Sequence, residues 1–227
     1  MKQPAAPGPR VSLHRIELAK IPDEALDLLP AEVRTRCLRA VDPQVVRRRL
    51  AAQAALFMVL SSETGRPPDR IELETGPRGK PALVGGGLHF NLSDSGGLAV
   101  VATSPDVEVG VDLELIRPLT RWRAVMERVF GHEAATRLED LSAVERAKAL
   151  IAAWCRYEAW AKARGTGLAA AGSPPPGLDA DPPPDGVLLP PTPESSSGWW
   201  LTDVPAPAGF RAACVMGGDV PPRIVSR

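Results

Sequence analysis

Two stretches of this chain carry both start and stop signals for a long helix, and strand-forming runs follow each of them. The first begins at Asp42-Pro43, where Asp suits the N-cap and Pro the first helical turn. It runs through "VVRRRLAAQAALFMVLS" to about Ser62 and is stopped by Gly65 and Pro67-Pro68. The second opens at Ser142 with Glu145 three residues on, a capping box, and runs from Ala143 to Arg164 before Gly165. Candidate strands follow the first helix at "RIELE" (70–74), "LHFNLS" (88–93), "LAVVAT" (98–103) and "EVGVDLELI" (108–116). Asp94-Ser95-Gly96-Gly97 reads as the turn of a hairpin between the middle two. After the second helix come "GWWLTDV" (198–204) and "FRAACVMG" (210–217).

The smaller pieces fit around this frame. "VSLHRIELA" partly alternates as a strand does, and "LLPAEVRTRCLRA", "RWRAVMERVF" and "EAATRLEDL" read as helices. Residues 1–10 are rich in Pro and Gly and should fray. Residues 172–197 read as an irregular loop enclosing one apolar run, "VLL". Helix followed by strands, twice, predicts an α+β fold of two similar halves, residues 1–115 and 116–227. A cleft between such halves is the default place for a site.

Composition narrows the class. The 227 residues suffice for a real core, and 27 basic side chains balance 27 acidic ones. That balance argues against a general binder of nucleic acid or of a membrane surface, either of which needs a basic excess. Cys37, Cys155 and Cys214 are odd in number and widely spaced, which suits reduced thiols in a cytoplasm. "MKQPAAPGPR" lacks an apolar leader core, and no run is long enough to span a bilayer. The expectation is a soluble, cytoplasmic protein.

The acids raise the chemical question. On a strand, Asp112 and Glu114 point to the same face. They mark either a solvated strand face or two hard oxygen ligands for Mg²⁺, which commonly takes one or two carboxylates plus substrate phosphates. In "WCRYEAWAKARGTGL", Glu158 and Lys162 stand at i and i+4, on one helix face. They form either a surface ion pair or a third ligand and general base beside a phosphate-binding cation, with Trp154 one turn earlier packing that face. "FNLSDS" offers hydroxyls and N–H groups in a turn that could cradle phosphate, or a hairpin corner closed by an Asx turn. Gly79-Lys80-Pro81 is a turn with one cation, and His14, His89 and His132 form no pattern.

Taken in order, GKP, FNLSDS, VGVDLE and W-x-x-Y-E-A-x-x-K resemble the serial motifs of the surfactin-synthetase-type 4′-phosphopantetheinyl transferases, over about Leu28 to Gly217. The resemblance implies a pseudo-twofold monomer that binds coenzyme A in the cleft and acts on an acyl or peptidyl carrier protein of fatty-acid, polyketide or nonribosomal peptide biosynthesis, often in secondary metabolism. It implies Mg²⁺ held by Asp112, Glu114 and Glu158, with Glu158 and Lys162 catalytic. Lys80, Ser93, Asp94, Arg48 and Tyr157 would line the coenzyme A site. It implies no nucleic acid or membrane partner.

Two positions depart from the family pattern. Asp94 stands where the family carries a histidine, and Tyr157 where it carries a lysine. Each change removes a cation near a phosphate, where a unit charge about 4 Å away is worth about 4 kcal/mol before desolvation. Arg156 and the run Arg47 to Arg49 are candidate replacements. The alternative is a member of the fold that has lost transfer, and binds carrier protein or runs a different biosynthetic reaction in the same cleft. Just beyond the acids, "TRWRAVMERVF" mixes Arg121, Arg123 and Arg128 with apolar residues; it is either an ordinary amphipathic helix or a face for the acidic carrier protein that the resemblance implies.

Overall fold

The computed structural model describes residues 8–76, 79–182, 184–193 and 195–227; residues 1–7 of the stretch expected to fray lie outside them. The order of elements is strand β1 (Arg10–Glu17), helices α1 (Asp23–Asp27), α2 (Ala31–Cys37) and α3 (Pro43–Thr64), and strands β2 (Leu73–Thr75), β3 (Pro81–Leu83), β4 (His89–Ser95), β5 (Leu98–Ser104) and β6 (Val109–Leu115). Helices α4 (Trp122–Phe130), α5 (His132–Arg137) and α6 (Ala143–Arg164) follow. Strands β7 (Val187–Leu189), β8 (Trp199–Asp203), β9 (Phe210–Gly217) and β10 (Arg223–Ser226) close the chain. The fold is α+β.

Local chemistry sets the ends of both long helices. The Asp42 carboxylate accepts the Gln44 N–H at 2.8 Å, and Gly65, at φ 70°, ends α3 with its N–H on the Ser61 carbonyl. Ser142 and Glu145 form the reciprocal capping box of α6, and Gly165 closes it at φ 65°. The hairpin differs from the sequence expectation. β4 continues through Ser95, and the turn contracts to Gly96-Gly97 at φ 55° and 85°, the two positive values that a type I′ turn requires. "FNLSDS" is therefore strand and not a phosphate-cradling turn. The run "VLL" is not loop but the edge strand β7, and the strand expected at 70–74 shrinks to Leu73–Thr75 behind a single 3₁₀ turn at Pro68–Arg70.

Two four-stranded sheets carry the fold, ordered β10-β1-β5-β4 and β6-β9-β8-β7. The last strand, β10, pairs in parallel with β1, and β6 pairs antiparallel with β9. Alternation of side chains builds the layers. From the first sheet, Ile16, Phe90, Leu92, Ala99 and Val101 pack with α3. The opposite face of that sheet, with Val11, Leu13, Val100 and Ala102, meets Val109, Val111, Leu113, Cys214 and Met216 of the second sheet. The outer face of the second sheet, through Leu201, Ala213 and Val215, packs against α6 residues Cys155, Ala159 and Ala163. The order is helix, sheet, sheet, helix, and full burial of each large apolar side chain contributes about 1.5–3 kcal/mol.

β4 and β6 are both edge strands, and unpaired edge groups must find partners. Side chains supply them. Asn91 Oδ1 accepts the Val111 N–H at 2.9 Å, Ser93 Oγ accepts that of Leu113 at 3.2 Å, and Ser95 Oγ accepts that of Leu115 at 3.1 Å. The two sheets are thus joined by a side-chain ladder at every second residue. Because Val111 and Leu113 face the first sheet, Gly110, Asp112 and Glu114 face α6.

Helix α6 lies so close to β6 that a Cβ on Gly110 would overlap the backbone of Ala159 and Ala163. Gly110→Ala is expected to lower stability by about 1–3 kcal/mol, the range for overpacking, with the loss read from the urea midpoint.

Candidate functional site

Asp112 projects from β6 toward α6 and is buried. Its Oδ1 accepts a hydrogen bond from Ser93 Oγ at 2.8 Å and an ion pair from Lys162 Nζ at 2.5 Å. Lys162 also reaches Ser93 Oγ at 3.2 Å and, one turn back on its own helix, Glu158 Oε2 at 3.4 Å. Two residues along β6, Glu114 Oε2 accepts from Ser95 Oγ at 2.7 Å. Glu114 and Glu158 then share a cleft of about 300 Å³ with Arg117, Val125 and Trp154. The i, i+2 spacing on a strand and the i, i+4 spacing on a helix thus converge because α6 crosses the face of β6 that carries the acids.

The site has an unusual balance of charge. Burial, and then the neighbouring Asp112, push the Glu158 carboxyl above its ordinary range; Lys162 opposes them and Glu114 adds to the rise. Burial works against the Lys162 ammonium, but Asp112 and Glu158 outweigh it and hold its pKa above the usual lysine value. Asp112 Oδ2 is buried without a hydrogen-bond partner. Burial and then Asp112 keep the nearby Cys155 thiol protonated. Among the described residues, no group of three or more carboxylate, imidazole or thiol side chains is arranged to hold a metal ion by itself. The Lys162 ammonium stands between Asp112 and Glu158.

The remaining candidates are more dispersed. Asp94 lies on the opposite face of β4 from Ser93, toward α3, where Arg48 Nε pairs with its Oδ2 at 3.4 Å. Burial raises the Asp94 pKa against the pull of Arg48, Lys162 and Arg49. Arg36, Arg49 and Gln53 complete a small cleft beside it. Lys80 is not an exposed turn cation: its Nζ donates to the carbonyls of Val109 and Ala163 at 2.9 and 3.0 Å and pairs with Glu108 at 2.5 Å. Desolvation lowers its pKa although Glu108 opposes that. Tyr157 points into the core of the second sheet, packed on Phe130, Trp154 and Trp160, with its hydroxyl donating to the Gly172 carbonyl at 2.9 Å. The structure does not bring it to Asp112, Glu158 and Lys162. One residue on a helix turns about 100°, which carries position 157 away from the face of position 158.

Arg156 is not a replacement cation for the cleft. It is buried and committed to Asp203 (2.8 and 2.5 Å), Asp181 (2.7 Å) and the Ala180 carbonyl (2.8 Å). On α4, Arg123 pairs with Glu127 and Glu139, and the Arg146 guanidinium covers the Trp122 ring.

The sequence model of the 4′-phosphopantetheinyl transferase superfamily matches residues 108–198, a span that contains Asp112, Glu114, Glu158 and Lys162. The 4′-phosphopantetheinyl transferase HetI of Nostoc sp. is 31% identical over 166 residues, 70% of this chain and 70% of the relative. The chain belongs to this superfamily. The 4′-phosphopantetheinyl transferase AcpT of Salmonella typhimurium is 34% identical over 154 residues, 67% of this chain and 75% of its own length. The Synechocystis protein slr0495 is 31% identical over 144 residues, and the match spans 58% of its length. Among the described residues, no helix is long and apolar enough to cross a membrane.

Sequence reasoning missed the part that Asn91, Ser93 and Ser95 play in joining the sheets, and it missed Glu108. The N-x-S-x-S period of Asn91, Ser93 and Ser95 is a legible signal of one strand face, but its partner strand is not legible. Glu108 binds both His89 Nδ1 (3.1 Å) and Lys80 with no motif to announce it. The hydrogen bond from His89, with Lys80 adding to it, holds the Glu108 carboxyl well below its ordinary 4.5, at about 2. A depressed acid stabilises the fold above its unfolded pKa, and that contribution is lost as pH falls through its folded pKa. Glu108→Gln is therefore expected to flatten the loss of stability between pH 4.5 and about 2, measured as the urea midpoint against pH.

Proposed function

We propose that this chain transfers 4′-phosphopantetheine from coenzyme A to a serine of an apo acyl or peptidyl carrier protein, as a transferase of the surfactin-synthetase type. The observation that carries this reading is the Asp112–Ser93–Lys162–Glu158 constellation, within a chain whose relatives HetI and AcpT bear the transferase name. In the proposed reaction the carrier serine oxygen attacks the β-phosphorus of coenzyme A. The phosphoanhydride bond breaks, 3′,5′-ADP leaves, and the serine proton passes to Glu158. A carboxylate raised above its ordinary range is better matched to a proton acceptor's work near neutral pH. Lys162, held charged, stabilises the growing negative charge on the transferring phosphate.

The donor set suits Mg²⁺. Asp112 and Glu114 both lie near enough to Glu158 to raise its pKa, and the buried Oδ2 of Asp112 has no hydrogen-bond partner, a pairing of acids that favours a hard cation. Because Mg²⁺ takes one or two carboxylates and fills its shell with phosphate oxygens and water, a closed protein cage is not needed. Asp112, Glu114 and Glu158 would hold the ion, which when bound neutralises the diphosphate. Arg48, Asp94, Lys80 and Ser93 are assigned to coenzyme A, and Arg36 and Arg49, which share a small cleft with Asp94, are added to them. Tyr157, packed in the core, is assigned to shaping the α6 face and not to phosphate.

The division into halves at residue 115 belongs to the same proposal. It is supported by a 22-residue helix and a hairpin-like strand pair in each half, β4-β5 after α3 and β8-β9 after α6. β6 and β10 each pair in the sheet of the other half.

The test is a mass measurement on apo acyl and peptidyl carrier proteins incubated with the protein, coenzyme A and Mg²⁺. A gain of one phosphopantetheine is expected with the wild type. Glu158→Gln is expected to cut the rate by about 100-fold or more while coenzyme A still binds. Coenzyme A binding without any mass gain in the wild type would favour instead the reading in which transfer has been lost. Asp94→Asn removes the anion that occupies Arg48. It is expected to tighten coenzyme A by about five-fold, the worth of a partly exposed ion pair, with the gain shrinking as salt rises. Unchanged affinity in a calorimetric titration would remove Asp94 from the nucleotide site.

A further inference from the structure

We infer that Ser95 is a positioning residue for Glu114, so that the hydroxyl closing β4 sets the metal-binding geometry of an acid on the neighbouring sheet. The inference rests on the proposed transferase reading. Ser95 is buried beside the Gly96-Gly97 turn. Its Oγ accepts the Leu115 N–H at 3.1 Å and donates to Glu114 Oε2 at 2.7 Å. A hydroxyl has one proton to give. Here the carboxylate takes it, while the backbone N–H of the next residue fixes the oxygen that carries it. The direction of the bond is therefore settled by the strand itself.

The same device occurs one step earlier on both strands. Ser93 Oγ accepts the Leu113 N–H at 3.2 Å and donates to Asp112 Oδ1 at 2.8 Å. Two hydroxyls at i and i+2 on β4 thus hold two carboxylates at i and i+2 on β6, matched by the two-residue period of a strand. The two acids are not supported equally, however. Asp112 is also held by Lys162 and buried, whereas Glu114 is partly exposed in the cleft it shares with Glu158. The rotamer of Glu114 therefore depends more on its serine. A carboxylate freed from such a partner samples several rotamers, and the entropy of ordering it is then charged to metal binding.

The experiment titrates Mn²⁺, as a spectroscopic substitute for Mg²⁺, into the full chain with coenzyme A present, and reads free Mn²⁺ by electron paramagnetic resonance. Ser95→Ala is expected to weaken Mn²⁺ binding about ten-fold or more, the scale for loss of an outer hydrogen bond to a ligand, and to leave coenzyme A affinity without metal unchanged. Ser95→Thr restores the hydroxyl on a strand-tolerated side chain and should restore Mn²⁺ affinity. A purely structural role would lower the urea midpoint of Ser95→Ala without this metal-specific loss and its rescue. In a Glu114→Ala background, Ser95→Ala should have no further effect on Mn²⁺. If Ser95→Ala does not fold cooperatively, Ser95→Cys, with its weaker donor, is titrated instead and should also bind Mn²⁺ more weakly. Wild-type Mn²⁺ affinity in whichever of these two variants is titrated, or a loss that persists undiminished in the Glu114→Ala background, overturns the Ser95 inference alone. A wild type that binds no Mn²⁺ overturns it together with the reading on which it rests.

Discussion

The seam between β4 and β6 is the constraint on which the rest of the structure depends. Two sheet edges meet there without a backbone ladder, and Asn91, Ser93 and Ser95 satisfy the N–H groups of Val111, Leu113 and Leu115. Buried backbone donors left unpaired would each cost about 1–3 kcal/mol. A hydroxyl or amide of the right length is needed at each second position, which leaves little freedom in residues 91–95. The seam also fixes which way β6 faces. Val111 and Leu113 must enter the core between the sheets, so Asp112 and Glu114 must turn toward α6.

From that orientation the electrostatics of the cleft follow. Helix α6 can approach β6 closely because Gly110 presents no side chain to it. The approach sets Lys162 within reach of Asp112 and places Glu158 near enough to both strand acids to be raised by them. In the protein alone the single Lys162 ammonium leaves carboxylates in surplus, so an anionic ligand arriving with a cation would find partners of both signs. On the α3 side the balance is different. Asp94 faces a group of guanidiniums and neutralises Arg48, which reduces the net positive charge offered to a phosphate.

Several arginines and lysines that look interchangeable in the sequence are separated by burial. Arg156 makes four hydrogen bonds to Asp203, Asp181 and Ala180 and anchors the segment after α6. Arg156 itself is buried, but Asp181 is exposed and Asp203 partly so, which makes each pair worth less than one buried on both sides. Lys80 has a similar role at the end of α6, where it binds the Ala163 carbonyl. Neither role can be inferred from spacing, because the partners lie 24 to 83 residues away along the chain.

The sequence by itself determined the features whose causes are local. The ends of α3 and α6 follow from Asp42, Gly65, Ser142, Glu145 and Gly165, which act on backbone groups within a few residues. The shared face of Asp112 and Glu114 follows from strand alternation, and that of Glu158 and Lys162 from helical period. The serial motifs carried the family resemblance. Only the tertiary structure decided that the strand expected at 88–93 runs on through Ser95 and lies at a sheet edge, that its alternate side chains hold β6, and that Tyr157 turns into the core while Glu158 turns to the cleft. The reason is that edge pairing and helix orientation depend on which apolar faces bury against one another. That choice is made by the whole set of layers at once, and no short stretch of sequence encodes it.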